Sequence, residues 1–202
     1  MRFLSQRSVR SAVLVLAAWT SAASTAEAQR PDVQRLFQSG SYQKAVEAAR
    51  DADPASTYLA VQSLIKLDQL DTAAGELARL SDSDQPAWRL IGDSGEAVLA
   101  NDGGRAVELA RRAIKADNDN PFAHYQLGVA ASKTSDWGAA VTGFTKAVAL
   151  KPDFAYAHYY AGLAYQRQRQ LRATADHFDA FLRLAPDAPE RSAVAAILRT
   201  IK

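Results

Sequence analysis

Three stretches of the sequence carry residue types that could do chemistry. Gly92-Asp93-Ser94-Gly95 is the tetrapeptide that surrounds the serine nucleophile in one class of proteases. That chemistry needs an imidazole base, and His124, His158 and His177 all follow Ser94, opposite to the chain order of that class. Glu96 also stands where the last glycine of a Gly-x-Ser-x-Gly elbow belongs. Asp117-Asn118-Asp119-Asn120 begins like a calcium loop, but Phe122 replaces its glycine and Gly128 its bidentate glutamate. It reads as a solvated turn capping the next helix. His124 and His158 offer two ligand nitrogens without a third at suitable spacing, and His177 stands alone. No phosphate-cradling glycine loop or His-Glu-x-x-His sequence occurs. The expectation is therefore no catalysis, no cofactor and no metal, with a serine hydrolase using Ser94 as the enzymatic alternative.

Composition points to what must position these residues. Of 202 residues 42 are alanine, which loses no side-chain entropy in a helix, and none is cysteine, so there is no disulfide framework and no thiolate site. Residues 1–28 read as a signal peptide: Arg2, Arg7 and Arg10 precede the apolar run Ala12–Trp19, and Ala26-Glu27-Ala28 supplies a cleavage site. The run is shorter than the ~20 apolar residues a membrane span needs, and no later segment of the mature chain is apolar enough to span. Removing the signal leaves 21 basic and 21 acidic residues, so the formal +2 implies no nucleic-acid partner. Residues 29–100 carry 7 basic and 11 acidic side chains, and residues 101–202 carry 14 and 10. That asymmetry keeps open a self-assembling structural protein as an alternative.

Residues 121–154 and 155–188 repeat one another. Ala123-His124-Tyr125 returns as Ala157-His158-Tyr159, Gly128 as Gly162, Phe144 as Phe178, Leu150 as Leu184 and Pro152 as Pro186, always 34 residues on. His124, Leu127, Gly128 and Ala131 share one helical face, small Gly128 and Ala140 let a second helix approach, and Pro152 ends that helix. A fixed period of this length means stacked units that cannot bury their apolar faces alone. Trp88, Ile91-Gly92, Ala106, Ala110 and Ala113 read as another copy if two residues are inserted at Asn101-Asp102-Gly103-Gly104. Weaker amphipathic pairs cover 31–53 and 54–82, and Val194, Ile197, Leu198 and Ile201 form the single stripe of a capping helix over 188–201 that starts from Asp187.

These residues resemble the tetratricopeptide repeat (TPR) family, with histidine in the large-residue slot, Ala131 for tyrosine, and Thr174 and Phe181 for alanines. The resemblance implies an all-α, right-handed superhelical solenoid of helical hairpins, with repeats at 31–53, 54–82, 85–120, 121–154 and 155–188, filling residues 29–202. It places His124 and His158 in core slots against a partner helix. It also implies a concave groove where the first helices of the later repeats put Phe122, Tyr125, Val129, Ser132, Tyr156, Tyr159, Leu163 and Gln166. Of 15 aromatics in the mature chain 11 lie between Phe122 and Phe181, and a tyrosine-rich groove would take a peptide or helix of another protein. Family members that clamp a partner's terminal carboxylates place lysine and asparagine where Tyr125, Val129, Tyr159 and Leu163 stand, so that specialisation is excluded. The expected role is a non-catalytic interaction scaffold, exported (periplasmic in a Gram-negative source, otherwise secreted), with an envelope component as partner.

Overall fold

Left-handed turn residues mark the repeat in the backbone. In this computed structural model the described residues are 32–201, so the signal-peptide reading lies outside them. Five hairpins and a final helix follow: α1 (Val33–Gln38) with α2 (Tyr42–Ala48), α3 (Pro54–Lys66) with α4 (Leu70–Ser81), and α5 (Pro86–Leu99) with α6 (Gly103–Ala116). Then come α7 (Pro121–Lys133) with α8 (Trp137–Leu150), α9 (Ala155–Arg167) with α10 (Leu171–Leu184), and α11 (Arg191–Ile201). Each helix packs on the next, giving a solenoid of TPR-like hairpins closed by a capping helix. Every hairpin turns on one residue of positive φ: Gly40, Asp68, Asn101, Ser135 and Arg169.

Asn101, Ser135 and Arg169 stand 34 residues apart, which corrects the register of the third hairpin. No residues are inserted at 101–104, and the copy aligns without a gap. Ser94, not Gly92, then occupies the place of Gly128. The packing agrees: Gly128 lies against Phe144 of its own hairpin, and the Ser94 hydroxyl bonds Ala106 O in its own hairpin. Gly92 faces the preceding helix instead, where an added Cβ would meet the backbone of Leu77 and Ser81.

Local chemistry sets the helix starts. Pro54, Pro86 and Pro121 open their helices, where a missing N–H costs nothing. Asp53, Asp102, Asn120 and Asp136 accept backbone N–H groups as caps. The calcium-like segment 117–120 is such a cap: Asn120 Oδ1 accepts from Phe122 N, and Asp117 Oδ1 from Asp119 N. The capping helix begins at Arg191 rather than at 188, because Ala188 precedes Pro189 and is biased away from helical backbone. Its Val194 and Leu198 are buried and its far side is wet. Alanines close the hairpins, with Ala106, Ala110 and Ala113 of α6 and Ala140 and Ala147 of α8 fully buried. Among the described residues no helix is long and apolar enough to cross a membrane.

Candidate functional site

The expected aromatic groove splits into two parts. Phe122, Tyr125 and Tyr156 are only 6, 0 and 0% exposed, which corrects their assignment to an open groove. The solenoid curls so that its own first hairpins cover them. Tyr58 of α3 packs edge-on against Phe122 and Tyr125, at ring separations of 5.7 and 6.1 Å. Phe37 of α1 lies 4.5 Å from Tyr156. The rings thus form an internal aromatic column continued by Phe154, Phe144 and Tyr160. Tyr125 Oη has no hydrogen-bond partner in it, and burial pushes that hydroxyl well above the ordinary tyrosine range.

A polar latch holds the first hairpins on α9. Lys66 Nζ donates to Glu190 Oε1 at 2.6 Å, and Tyr156 Oη donates to Glu190 Oε2 at 2.7 Å. With its proton so engaged, Tyr156 Oη accepts from Tyr42 Oη at 2.9 Å. Gln34 and Gln38 of α1 both donate to Asp153 O. Burial works against the Glu190 charge, but the hydrogen bonds from Lys66 and Tyr156 outweigh it and hold the carboxyl below its usual range. Tyr159, half-buried, flanks the Lys66 ammonium at 5.8 Å.

The remaining expected residues do line open space. A cleft of about 410 Å³ is walled by Ile65, Leu70, Val98, Val129, Ser132 and Tyr160, among others. A second of about 450 Å³ continues past Ser132 and Tyr160 to Trp137, Leu163, Gln166 and Arg167. Val129, Ser132, Leu163 and Gln166 are thus brought together along one groove, while Tyr159 lies on the latch side. Ile65 and Leu70 are 37 and 46% exposed at the mouth of the first cleft. Among the described residues the charged side chains in the walls are Lys133 and Arg167, at equivalent places in successive repeats, and Arg167 also stacks 5.3 Å from the Trp137 ring. Tyr160, Trp137 and Lys133 were missed as site residues, whereas Arg167 is one of three arginines, with Arg169 and Arg172, whose place in the sequence suggests added positive charge at the groove. The signal for the missed residues was the 34-residue match of Lys133 to Arg167 and of Gln126 to Tyr160.

The chemical candidates take structural roles. Ser94 is fully buried and donates to Ala106 O at 2.8 Å, while accepting from Gln126 Nε2 at 3.0 Å. Gln126 Oε1 accepts from Tyr58 Oη at 2.6 Å, so one hydrogen-bonded chain ties α3, α7, α5 and α6 together. A hydroxyl whose proton goes to a helix carbonyl, with glutamine rather than histidine at hand, is no nucleophile. His124 Nε2 donates to Asn118 O and His158 Nε2 to Pro152 O, the same bond one repeat apart. His177 does not stand alone: its Nδ1 lies 3.2 Å from His158 Nδ1. Burial lowers both imidazoles, His177 to about 4 with help from its neighbour. Among the described residues no group of three or more His, Asp or Glu side chains is placed to hold a metal.

The fold built from these hairpins is that of tetratricopeptide-repeat proteins. A thermophilic TPR protein of Thermus thermophilus, TTC0263, superposes with a TM-score of 0.59 at 17% identity, covering 78% of this chain and 91% of that one. The first TPR domain of Spaghetti (RPAP3), solved with the HSP90 peptide SRMEEVD, gives 0.54 at 21% identity over 59% of this chain and 92% of that one. YrrB, described as a TPR protein with an unusual peptide-binding site, gives 0.51 at 18%, over 79 and 80%. No protein-family model and no curated protein matches the sequence.

Proposed function

We propose that the protein is a non-catalytic interaction scaffold that holds a segment of another protein in the groove running from Ile65 and Leu70 to Leu163 and Gln166. The observation that carries this reading is the groove itself: two adjoining clefts, apolar along their length, with Lys133 and Arg167 as their cations. Such walls fit an aliphatic or aromatic segment bearing carboxylates, with the Gln166 amide placed to bond its backbone and the Ser132 oxygen, whose proton goes to Gly128 O, still able to accept. Two proteins of the same fold, RPAP3 and YrrB, are described with a bound peptide and a peptide-binding site, which supports the class of role. The signal-peptide pattern at residues 1–28 supports export, to the periplasm in a Gram-negative source and otherwise to the outside, and hence an envelope protein as partner.

Selection from a displayed random-peptide library tests the groove directly. Selected sequences should combine apolar and acidic residues, and Val129→Arg and Leu163→Arg should abolish their binding while leaving the helical circular dichroism unchanged. Peptides that bind both variants as well as the parent would place the interaction elsewhere, and failure to select any peptide would sink the reading.

A further inference from the structure

The fifth hairpin holds a polar pair at a place where the fourth has none. His177 of α10 occupies the position of Gly143 in α8, 34 residues earlier. At Gly143 the two helices touch backbone to backbone, and an added Cβ would lie 2.7 Å from Gly128 N and His124 O. A histidine there is accommodated only because α9 and α10 leave room between them, and two imidazoles fill it. The repeat packs without such a pair, so its presence calls for its own account.

We infer that His158 and His177 form a two-imidazole site for a transition-metal dication of the zinc, cobalt, nickel and copper class, bridging α9 and α10. The Nδ1 atoms are 3.2 Å apart, with ring centroids at 5.2 Å and planes inclined by 47°. Two nitrogens bound to one tetrahedral ion at ~2.0–2.1 Å stand about 3.3–3.4 Å from each other, so the pair already has the separation one ion requires, and the rings need only turn their Nδ1 lone pairs from each other toward it. The charges around the rings work in both directions, the Asp176 carboxylate near His177 favouring a cation and the Arg183 guanidinium near His158 opposing one, while the contacts of the rings favour binding. His158 Nε2–H donates to Pro152 O, the outer bond that fixes the tautomer and leaves Nδ1 unprotonated, its lone pair toward His177. The Tyr165 ring stacks on His177 at 5.4 Å and 25°, holding its plane. In the metal-free protein His177 Nδ1–H donates to His158 Nδ1. On binding, that proton passes to His177 Nε2, both Nδ1 lone pairs face the ion, and no net proton is released. No third protein ligand is in place among the described residues, so water fills the other positions and the site exchanges its metal readily.

The test is titration of the untagged full chain with Zn²⁺ by calorimetry, alongside imidazole ¹⁵N resonances followed by NMR. One equivalent should bind, the Nδ1 signals of His158 and His177 should move together, and those of His124 should stay. His158→Ala and His177→Ala should each weaken binding at least about tenfold, whereas His124→Ala should not. Because an alanine could loosen the hairpin, His177→Gln is the second variant: it keeps volume and polarity and should still lose the metal. Binding that survives in the double variant, or Zn²⁺ that leaves both imidazoles unmoved, would overturn the assignment.

Discussion

Gly143→Ala should destabilise the protein, although alanine is the better helix former. The new Cβ would lie 2.7 Å from both Gly128 N and His124 O, and these are helix backbone atoms that cannot rotate away. Ordinary contact begins near ~3.5 Å, so α7 and α8 must part by several tenths of an ångström along a well-packed seam. Overpacking of this kind costs about 1–3 kcal/mol, against roughly 1 kcal/mol regained from helix propensity. Gly75→Ala is the matched control. Gly75 is exposed in α4, nothing lies within 4 Å of its Cβ position, and only the propensity gain applies. It should stabilise by about 0.5–1 kcal/mol. Urea denaturation of the parent and both variants, read at constant slope, measures the difference. In a domain of this length each kcal/mol moves the thermal midpoint by about 2–4 °C. Gly143→Ala and Gly75→Ala shifting together to higher stability would refute the close-approach argument.

Gln126→Leu should cost about 1–3 kcal/mol by leaving buried Tyr58 Oη without an acceptor. Adding Tyr58→Phe should recover part of that loss, and a denaturation cycle that shows no coupling would contradict the link. Glu190 is charged more readily folded than unfolded, so its latch contributes fully above the ordinary glutamate value of 4.5 and fades as pH falls through its lower folded value. Glu190→Gln should therefore lose about 1–3 kcal/mol at neutral pH and show a flatter acid limb in stability measured from pH 7 to 3. Arg169→Gly should stabilise by about 1 kcal/mol, because arginine holds φ at 59° in the α9–α10 turn. Asn101→Gly should gain less, asparagine already tolerating that region, and equal gains in thermal midpoint would argue against a backbone origin.

How far the sequence can be read follows from which forces are local. A 34-residue period records where each helix meets its partner, and that contact recurs with the same chemistry in each copy. Gly128 against Phe144 and Gly162 against Phe178 are the same contact, so the solenoid is legible from spacing. The third hairpin departs from the pattern by chemistry, not by length. Ser94 fills a glycine slot and spends its hydroxyl on Ala106 O, so matching Gly92 to Gly128 by residue type alone suggested a gap that the chain lacks.

The curl of the solenoid is a different matter, because it depends on contacts that occur once. Phe37 on Tyr156, Tyr58 on Phe122 and Tyr125, and Lys66 on Glu190 join residues 64 or more apart, with no periodic counterpart. A tyrosine on the inner face of a first helix looks the same in the sequence whether it meets solvent or the chain's own N-terminal hairpins. The difference is visible only in the company it keeps. Tyr125 and Tyr156 are enclosed by other rings, whereas Val129, Ser132, Leu163 and Gln166 lie toward the C-terminal ends of α7 and α9, beyond the reach of α1. Covering the tyrosines therefore displaces the open groove along the same helices rather than abolishing it. In the proposed scaffold, recognition would fall to aliphatic contacts, the rings of Tyr160 and Trp137 and two cations, with Tyr125 and Tyr156 as the rigid column behind them.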